Sequence, residues 1–291
     1  MQTSSSSSSK KRFIESSSFY TNCQEKDPFS KFKIDDCSFL ESVPNRSTCS
    51  KCHRSRKYYC YTCYVAVQEI SDRLPHVSLP IKIDIIKHPK EVDGKSTAAH
   101  AAVLASEDVT VYTYPNFPTY NYDEVLLIFP GESAIPFHEW WSSTVLSKRQ
   151  NNFLKINPEQ KSIHFDDADV EKPTKEVNCP LKRIIFIDST WRQSKALHND
   201  SRLKKLRSVF LDDHKSLFWR YYREKKETHL STIEAIYYFI VELHNLLQPD
   251  VPYHGQYDNM LFFFKFMYYK IRTLYDPLKL KAYQNSTVLT K

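Results

Sequence analysis

Short apolar runs that alternate with helix-like stretches are the feature that most constrains this sequence. Runs rich in β-branched and other apolar residues predict strands at 81–86, 109–112, 125–129, 183–187 and 209–211. Helical patterns separate or follow these runs, over residues 95–104, 137–149, 191–198, 231–247 and 257–274. Strands that alternate with helices are typical of an α/β fold whose sheet is mostly parallel. The sequence therefore predicts one α/β domain over residues 79–275.

Glycine is scarce enough to exclude two common nucleotide-binding loops. Only three glycines occur in the 291 residues, and these are Gly94, Gly131 and Gly255. A G-x-G-x-x-G dinucleotide loop cannot be written with them. The end of a P-loop is present as Gly94-Lys95-Ser96, but Pro89 stands where that loop needs its earlier glycine. A nucleotide-like ligand must therefore be held by another kind of loop.

The overall composition is that of a folded protein with a basic excess. Hydrophobic residues make up 41% of the chain and the formal net charge is +7, which favours a polyanionic partner such as RNA. No apolar run reaches the roughly 18–20 residues that span a bilayer, and the serine-rich start lacks the apolar segment of a secretory signal. We therefore expect residence in the nucleus or the cytoplasm. Residues 1–35 are predicted to be a disordered tail, and residues 276–291 a C-terminal tail.

Two C-x2-C pairs predict a small N-terminal metal module over residues 45–66. Cys49 and Cys52 form the first pair, and Cys60 and Cys63 form the second. Each such turn points two thiolates at one ion, and two turns complete the tetrahedral set that zinc prefers. Four protein ligands leave no open position, so the sequence predicts a structural zinc ion.

Two stretches mix basic and aromatic residues in a way that suits nucleic acid. Arg54 lies with other basic residues and tyrosines between the two cysteine pairs. Arg220 and Arg223 follow Phe218-Trp219 and alternate with further tyrosines. Such stretches can contact phosphates and stack on bases. A solvated charged face is an equal alternative for both.

Polar turns follow several of the predicted strands. One strand runs into Asp188-Ser189-Thr190-Trp191, another into Pro130-Gly131, and a third into Lys87-His88-Pro89. Open α/β sheets bind ligands at the carboxyl ends of their strands, often beside a helix N-terminus. Helix capping explains the first turn equally well, and Ser231 with Glu234 has the spacing of a capping box. The spacing alone therefore predicts a shared cleft but names no reaction.

The polar segments together resemble those of the DTW-domain family, the tRNA-uridine aminocarboxypropyltransferases. The name-giving motif, Asp-x-Thr-Trp, stands here as Asp188-Ser189-Thr190-Trp191. The companion motifs follow the family's order, and they are Lys87-His88-Pro89 with Glu91, Lys95-Ser96-Thr97, Phe129-Pro130-Gly131, Ser231-Thr232 with Glu234-Ala235, and Tyr257-Asp258-Asn259. The cysteine pairs match as well. The resemblance covers residues 45–275, and the ordered set of motifs is specific.

This resemblance implies a fold, a cofactor and a reaction. The family is placed among the SPOUT enzymes, α/β proteins whose mostly parallel sheets bind S-adenosylmethionine in a knotted region. The implied reaction transfers the 3-amino-3-carboxypropyl group of S-adenosylmethionine to N3 of a uridine in tRNA and releases methylthioadenosine. The implied target lies in the D-loop, and the resemblance favours the nucleus. It indicates no obligate protein partner and no association with a membrane.

The matched motifs supply the candidate site residues. Asp188 is the first candidate for the base that removes the N3 proton, because burial would raise its pKa. Binding the cofactor's ammonium group is its rival role, and Glu234 is the second acidic candidate. Contacts with the cofactor are expected from Phe129, Pro130, Gly131, Asp188, Ser189, Thr190, Trp191, Ser231 and Thr232. Contacts with uridine or tRNA are expected from His88, Lys95, Ser96, Thr97, Arg54, Arg220 and Arg223. A core position for Trp191 and a structural role for His88 are the alternatives.

Two other functions fit parts of the same pattern. One is an RNA methyltransferase of the same superfamily, which the mass of the product distinguishes from an aminocarboxypropyltransferase. The other is a non-catalytic, zinc-dependent tRNA-binding protein, in which Asp188→Ala would have no catalysis to remove.

Overall fold

The computed structural model describes residues 27–146, 179–219 and 228–274. The strands in these ranges are β1 (Ser47–Thr48), β2 (Ser55–Arg56), β3 (Tyr59–Cys60), β4 (Val65–Ala66), β5 (Lys82–Lys87), β6 (Val109–Thr113), β7 (Val125–Ile128), β8 (Ile135–Pro136), β9 (Arg183–Asp188) and β10 (Arg207–Phe210). The α-helices are α1 (Ala98–Leu104), α2 (Phe137–Trp141), α3 (Trp191–His198), α4 (Ser201–Lys204), α5 (Thr232–Leu247) and α6 (Phe262–Leu274). Each predicted strand in the described ranges is thereby confirmed, as are the helices predicted over 95–104, 191–198, 231–247 and 257–274.

Six of the strands form one parallel sheet. Their order is β6-β5-β9-β7-β10-β8, and every pairing between neighbours is parallel. The predicted α/β architecture with a mostly parallel sheet is therefore confirmed. The central strand β9 pairs with β5 in a register that sets Lys87 opposite Asp188. The carboxyl ends of β5, β7, β9 and β10 consequently lie along the same edge of the sheet, where the polar turns begin.

Successive strand residues point to opposite sides of the sheet. Because both sides carry apolar side chains, helices and loops cover both faces. One face, which includes Ile85 and Ile184, belongs to a large apolar core with helices α1, α2, α5 and α6. The opposite face, which includes Ile86 and Ile185, packs in a smaller cluster with Leu203 of α4. Burial on both faces explains why these strands read as continuous apolar runs rather than alternating ones.

The cysteine module packs directly against the α/β domain. Its strands form two short antiparallel ribbons, β1 with β2 and β3 with β4. The Tyr58 ring lies 5.1 Å from that of Phe266, and the Tyr59 ring lies 4.7 Å from that of Phe263. These four residues share one apolar cluster at the N-terminal end of α6. Tyr58 is 9% exposed, so its ring is used in packing the module against α6.

Residues 27–35, which the sequence analysis assigned to a disordered tail, pack against the domain. Phe29 is only 2% exposed, and its ring lies 5.2 Å from that of Tyr268 on α6. The prediction of disorder is therefore wrong for residues 27–35, because the apolar surface of α6 offers them a partner that their polar composition does not reveal. Residues 1–26 lie outside the described ranges.

Asp258, from the Tyr257-Asp258-Asn259 motif, holds this N-terminal segment in place. Its carboxylate accepts hydrogen bonds from the hydroxyls of Tyr237 and Tyr253, each at 2.7 Å, and from the backbone N–H of Lys33 at 2.6 Å. The side chain is 2% exposed. Asp258 therefore has a structural role just before the start of α6.

Some predicted segments fall wholly or partly outside the described residues. The helix predicted over 137–149 is observed as α2 followed by a π-helical turn, Ser142–Leu146. Most of the long connection predicted at 155–180 and all of the C-terminal tail lie outside the described ranges.

Candidate active site

A cavity of about 360 Å³ opens at the carboxyl ends of β7, β9 and β10. Four of the residues predicted to bind the cofactor line it, namely Phe129, Pro130, Ser189 and Thr232. Its volume lies within the roughly 300–1,000 Å³ of small-molecule sites. The cavity therefore occupies the edge at which the sequence predicted a ligand.

Asp188 lies behind this cavity, at the end of β9. It is 4% exposed, and each of its carboxylate oxygens accepts a hydroxyl hydrogen bond. Ser96 Oγ donates to Oδ2 and Thr232 Oγ1 donates to Oδ1, both at 2.7 Å. Burial raises the pKa of this carboxyl, although the two hydroxyls and the nearby Lys87 oppose the rise. Since Thr232 also lines the cavity, its hydroxyl connects the cavity to the buried carboxylate.

Ser96 and Thr97 join three loops to one another. Besides the bond from Ser96 to Asp188, Thr97 Oγ1 accepts the backbone N–H of Ile233 at 3.2 Å. Thr97 is 5% exposed. The sequence predicted that both residues contact uridine or RNA, whereas the structure places them in bonds within the protein. These bonds fix the start of α1 against the start of α5.

Glu234, the second acidic candidate, is occupied by hydrogen bonds within the protein. Its carboxylate accepts the backbone N–H and the hydroxyl of Ser231, at 2.7 and 2.6 Å, which forms the capping box of α5. It also accepts the backbone N–H of Leu217 at 2.7 Å and the hydroxyl of Ser216 at 3.0 Å. At 2% exposure it anchors the loop after β10 to the first turn of α5. Ser231 is used as the helix cap.

The sequence left ligand binding and helix capping open for the Asp-Ser-Thr-Trp turn, and neighbouring residues of the turn have one role each. Ser189 lines the cavity, as a ligand-binding residue should. Thr190 is instead the N-cap of α3 and forms a capping box with Gln193. Trp191 is the first residue of α3, and its side chain lies outside the described part of the structure.

The Phe129-Pro130-Gly131 loop is supported by a histidine that the sequence reasoning missed. The imidazole of His198, at the end of α3, stacks on the Phe129 ring with 4.5 Å between centroids. Burial lowers the pKa of His198, and Lys204 lowers it further. A Cβ at Gly131 would lie 3.5 Å from the same imidazole. The histidine therefore packs against the loop in surroundings that favour its neutral form.

Two pairs of charged residues at the site were not among the predicted site residues, although Lys87 belongs to a matched motif. Lys87 is 8% exposed and forms an ion pair with Asp93 close to Asp188. Asp212 and Asp213, which follow β10, stand on the wall of the cavity. A lysine that ends an otherwise apolar strand was the available signal for the first pair. The acidic pair had no signal, because its nearness to β7 and β9 depends on strand order.

The predicted RNA contacts lie at several places. The backbone N–H of His88 donates to the carbonyl of Asp188 at 2.9 Å. Its Nδ1 accepts a backbone N–H two residues further on, and these bonds favour the structural alternative. Arg54 and Lys95 are exposed to solvent on the module and on the loop before α1. Two further candidates lie outside the described residues, Arg220 and Arg223.

The four cysteines of the module converge on one point. Their sulfur atoms lie within 4.8 Å of one another, and they belong to Cys49, Cys52, Cys60 and Cys63. Burial would raise the pKa of the Cys60 thiol, but hydrogen bonds from the backbone of Cys63 and Thr62 and from the Arg56 side chain lower it to about 6. A thiolate cluster with this spacing can hold a metal ion.

Parallel strands whose carboxyl ends enclose a cavity define an α/β protein of the ligand-binding kind. The chain belongs to the DTW-domain family, because residues 57–272 match the DTW domain. It is 44% identical over 283 residues to tRNA-uridine aminocarboxypropyltransferase 1 of Xenopus laevis, covering 92% of this chain and 94% of that protein. It is 43% identical over 275 residues to the Homo sapiens protein of the same name, covering 90% of each.

Among solved structures, the SAM-dependent rRNA:acp-transferase Tsr3 from Vulcanisaeta distributa is 13% identical, with a TM-score of 0.36, and the match covers 71% of this chain and 84% of that one. A score this low supports no argument about the fold or the cofactor. Within the described residues, no helix combines the length and the apolar character needed to cross a membrane.

Proposed function

We propose that this chain transfers the 3-amino-3-carboxypropyl group of S-adenosylmethionine to N3 of a uridine in the D-loop of tRNA and releases methylthioadenosine. One observation carries the proposal: identity of 43–44% to tRNA-uridine aminocarboxypropyltransferase 1 along most of both chains. The relatives' name supplies the transferred group and the acceptor base. The choice of N3, the D-loop and the leaving group rest on the motif resemblance.

The charges on the cavity suit S-adenosylmethionine. Asp212 and Asp213 line it, whereas no lysine or arginine of the described residues does. Carboxylates favour the cofactor's ammonium and sulfonium groups. Thr232 and Ala235 bring the first turn of α5 to the cavity wall, and a helix N-terminus favours the cofactor's carboxylate. We therefore assign this cavity to the cofactor, with Phe129 and Ser189 as further residues that contact it.

The transfer requires a bond exchange and the loss of one proton. Uridine N3 attacks the γ-carbon of the methionyl chain, the bond from that carbon to sulfur breaks, and its electron pair moves to sulfur. The sulfonium supplies a neutral thioether as the leaving group. A methyl carbon bears the same sulfonium, so the alignment of N3 with the γ-carbon decides between aminocarboxypropyl and methyl transfer.

We assign Thr232 the role of passing the N3 proton to Asp188. Its hydroxyl donates to Asp188 Oδ1, so only the lone pairs of Thr232 Oγ1 are left to face the cavity. Those lone pairs accept the N3–H of uridine, and the N3 proton moves to Thr232 as the Thr232 proton moves to Asp188. The raised pKa of Asp188 makes it a stronger proton acceptor than a solvated aspartate. Glu234 then has a positioning role, holding the helix that carries Thr232.

The remaining parts of the proposal concern RNA, zinc and location. Arg54 and Lys95 contact the tRNA backbone, with Arg220 and Arg223 as further contacts. Zinc occupies the four-cysteine centre, since four thiolates form a closed tetrahedral set. The cofactor site is knotted in the SPOUT manner, and the protein acts in the nucleus.

Mass spectrometry of nucleosides tests the reaction. Unmodified tRNA is incubated with the protein and S-adenosylmethionine and digested, and Asp188→Asn, Thr232→Val and Thr232→Ser are assayed in parallel. We expect aminocarboxypropyluridine with the native chain, a loss of at least about 100-fold for Asp188→Asn and Thr232→Val, and partial activity for Thr232→Ser, which keeps the hydroxyl.

The other outcomes discriminate between the alternatives. A methylated nucleoside would identify a methyltransferase. Binding of tRNA without any product would support the non-catalytic zinc protein. Full activity of Thr232→Val would remove Thr232 from the proton path while leaving the transfer itself standing.

A further inference from the structure

A turn of 3-10 helix, Asp93–Lys95, lies between the cysteine module and Asp188. Asp93 Oδ1 pairs with Lys87 Nζ, and Asp93 Oδ2 accepts the Thr62 hydroxyl at 3.3 Å. The Lys87 side chain is 10% exposed and that of Asp93 is 30% exposed. One carboxylate therefore bonds to both the end of strand β5 and the second cysteine turn.

The turn is tied closely to Ser96. The backbone N–H groups of Lys95 and Ser96 both donate to the carbonyl of Val92, at 2.8 and 3.2 Å. Ser96 Oγ accepts the backbone N–H of Ala98 at 3.0 Å while it donates to Asp188. A shift of Asp93 is therefore passed along three residues to the hydroxyl that bonds Asp188.

On the module side, the bonds continue to the sulfur cluster. Arg56, 5% exposed, donates from Nε to Cys60 Sγ at 3.3 Å and from Nη2 to the Thr62 hydroxyl at 3.2 Å. Thr62 in turn donates to Asp93. An unbroken chain of hydrogen bonds and one ion pair thus runs from Cys60 to Lys87.

The two charged residues at the end of this hydrogen-bonded series, Lys87 and Asp93, both act on Asp188. Lys87 lowers the pKa of Asp188 and Asp93 raises it. Asp93 therefore offsets the charge of Lys87 beside Asp188.

We propose that Asp93 is a positioning residue for the transfer reaction. Its carboxylate links the cysteine module to the loop that carries Ser96, and so keeps the Ser96 hydroxyl bonded to Asp188. The proposal rests on the proposed function for its kinetic test. The cysteine module thereby takes part in catalysis, although its residues lie far along the sequence from those that line the cavity.

Asp93→Asn and Thr62→Val test this link, with Asp123→Asn as the matched control, because Asp123 is exposed and receives the same chemical change. We expect kcat to fall about 10- to 100-fold in Asp93→Asn, since small displacements near reacting groups have effects of this size. We expect a smaller fall in kcat for Thr62→Val, and a kcat close to the native value for Thr62→Ser, which keeps the hydroxyl. KM for S-adenosylmethionine should change less than about twofold, and the acid limb of the pH–rate profile should move to lower pH in Asp93→Asn, because Lys87 is no longer offset.

Hydrogen–deuterium exchange supplies a readout independent of activity. Peptides that cover residues 93–98 should exchange faster in both variants, with unchanged exchange in α5 and unchanged metal content. Native exchange at 93–98 in both variants, or a native kcat and pH profile in Asp93→Asn, overturns the proposal. An inactive native chain would refute the proposed function alone, and the exchange result would still decide whether Asp93 positions this loop.

Discussion

Replacing Glu234 by glutamine separates a structural role from a catalytic one, because the change removes the charge and keeps the shape. The carboxylate accepts four hydrogen bonds. With its oxygen facing Ser231, the amide keeps three of them and sets its NH2 group against the backbone N–H of Leu217. The lost bond to a charged acceptor is worth about 1.5–3 kcal/mol, and the three that remain become weaker neutral bonds.

The expected loss is about 3 kcal/mol of unfolding free energy, which corresponds to a fall in Tm of about 6–12 °C. Glu107→Gln is the control, because Glu107 is exposed and should change stability by less than about 0.5 kcal/mol. Differential scanning calorimetry measures both variants. The kcat of the folded Glu234→Gln enzyme should fall less than about 10-fold, whereas an acid–base residue would cost about 10²–10⁴.

A native Tm together with a loss of more than about 100-fold in kcat for Glu234→Gln would contradict a purely structural role. That result would return Glu234 to the catalytic role that the sequence first offered it. A large fall in both quantities would indicate that the loop after β10 must be held in place for the cofactor to be bound.

Three further predictions follow from other parts of the structure. Because burial raises the pKa of Asp188, the transfer rate should rise with pH over a window above the roughly 3.9 of a free aspartate; an acid limb at or below that value in a pH–rate profile would contradict it. If zinc occupies the four-cysteine centre as proposed, a chelator should lower the Tm, since the cysteine turns support packing of Tyr58 on α6; an unchanged thermal transition would argue against a structural metal. Phe29→Ala should cost about 3–5 kcal/mol in urea unfolding, because the ring is 2% exposed, and a loss under about 1 kcal/mol would show that the N-terminal segment contributes little.

Local sequence patterns were sufficient for the elements of the fold. The apolar run of β9 and the long amphipathic pattern of α5 were predicted within one residue at most ends, because burial periodicity and capping are written in neighbouring residues. The same reasoning failed for residues 27–35. Their partner is an α6 surface more than 200 residues away, and local polarity carries no trace of it.

The candidate site was predicted unevenly for a related reason. Ser189 and Thr232, which the family motifs contain, line the cavity. Ser96, Thr97 and Glu234 belong to the same motifs but make bonds within the protein. A motif records that a residue is needed, and it does not distinguish contact with a ligand from support of a loop.

The sequence by itself determined the parallel α/β class, the cysteine centre and the aspartate at the end of a buried strand, since each depends on spacing over a few residues or on a recognised order of motifs. Only the tertiary structure decided that Asp188 is bonded to Ser96 and Thr232, that Asp212 and Asp213 join the cavity, and that Asp93 links the module to the site. These contacts depend on the order of strands in the sheet and on the packing of distant segments, and hydrogen-bond geometry is set by positions in space rather than by separation along the chain.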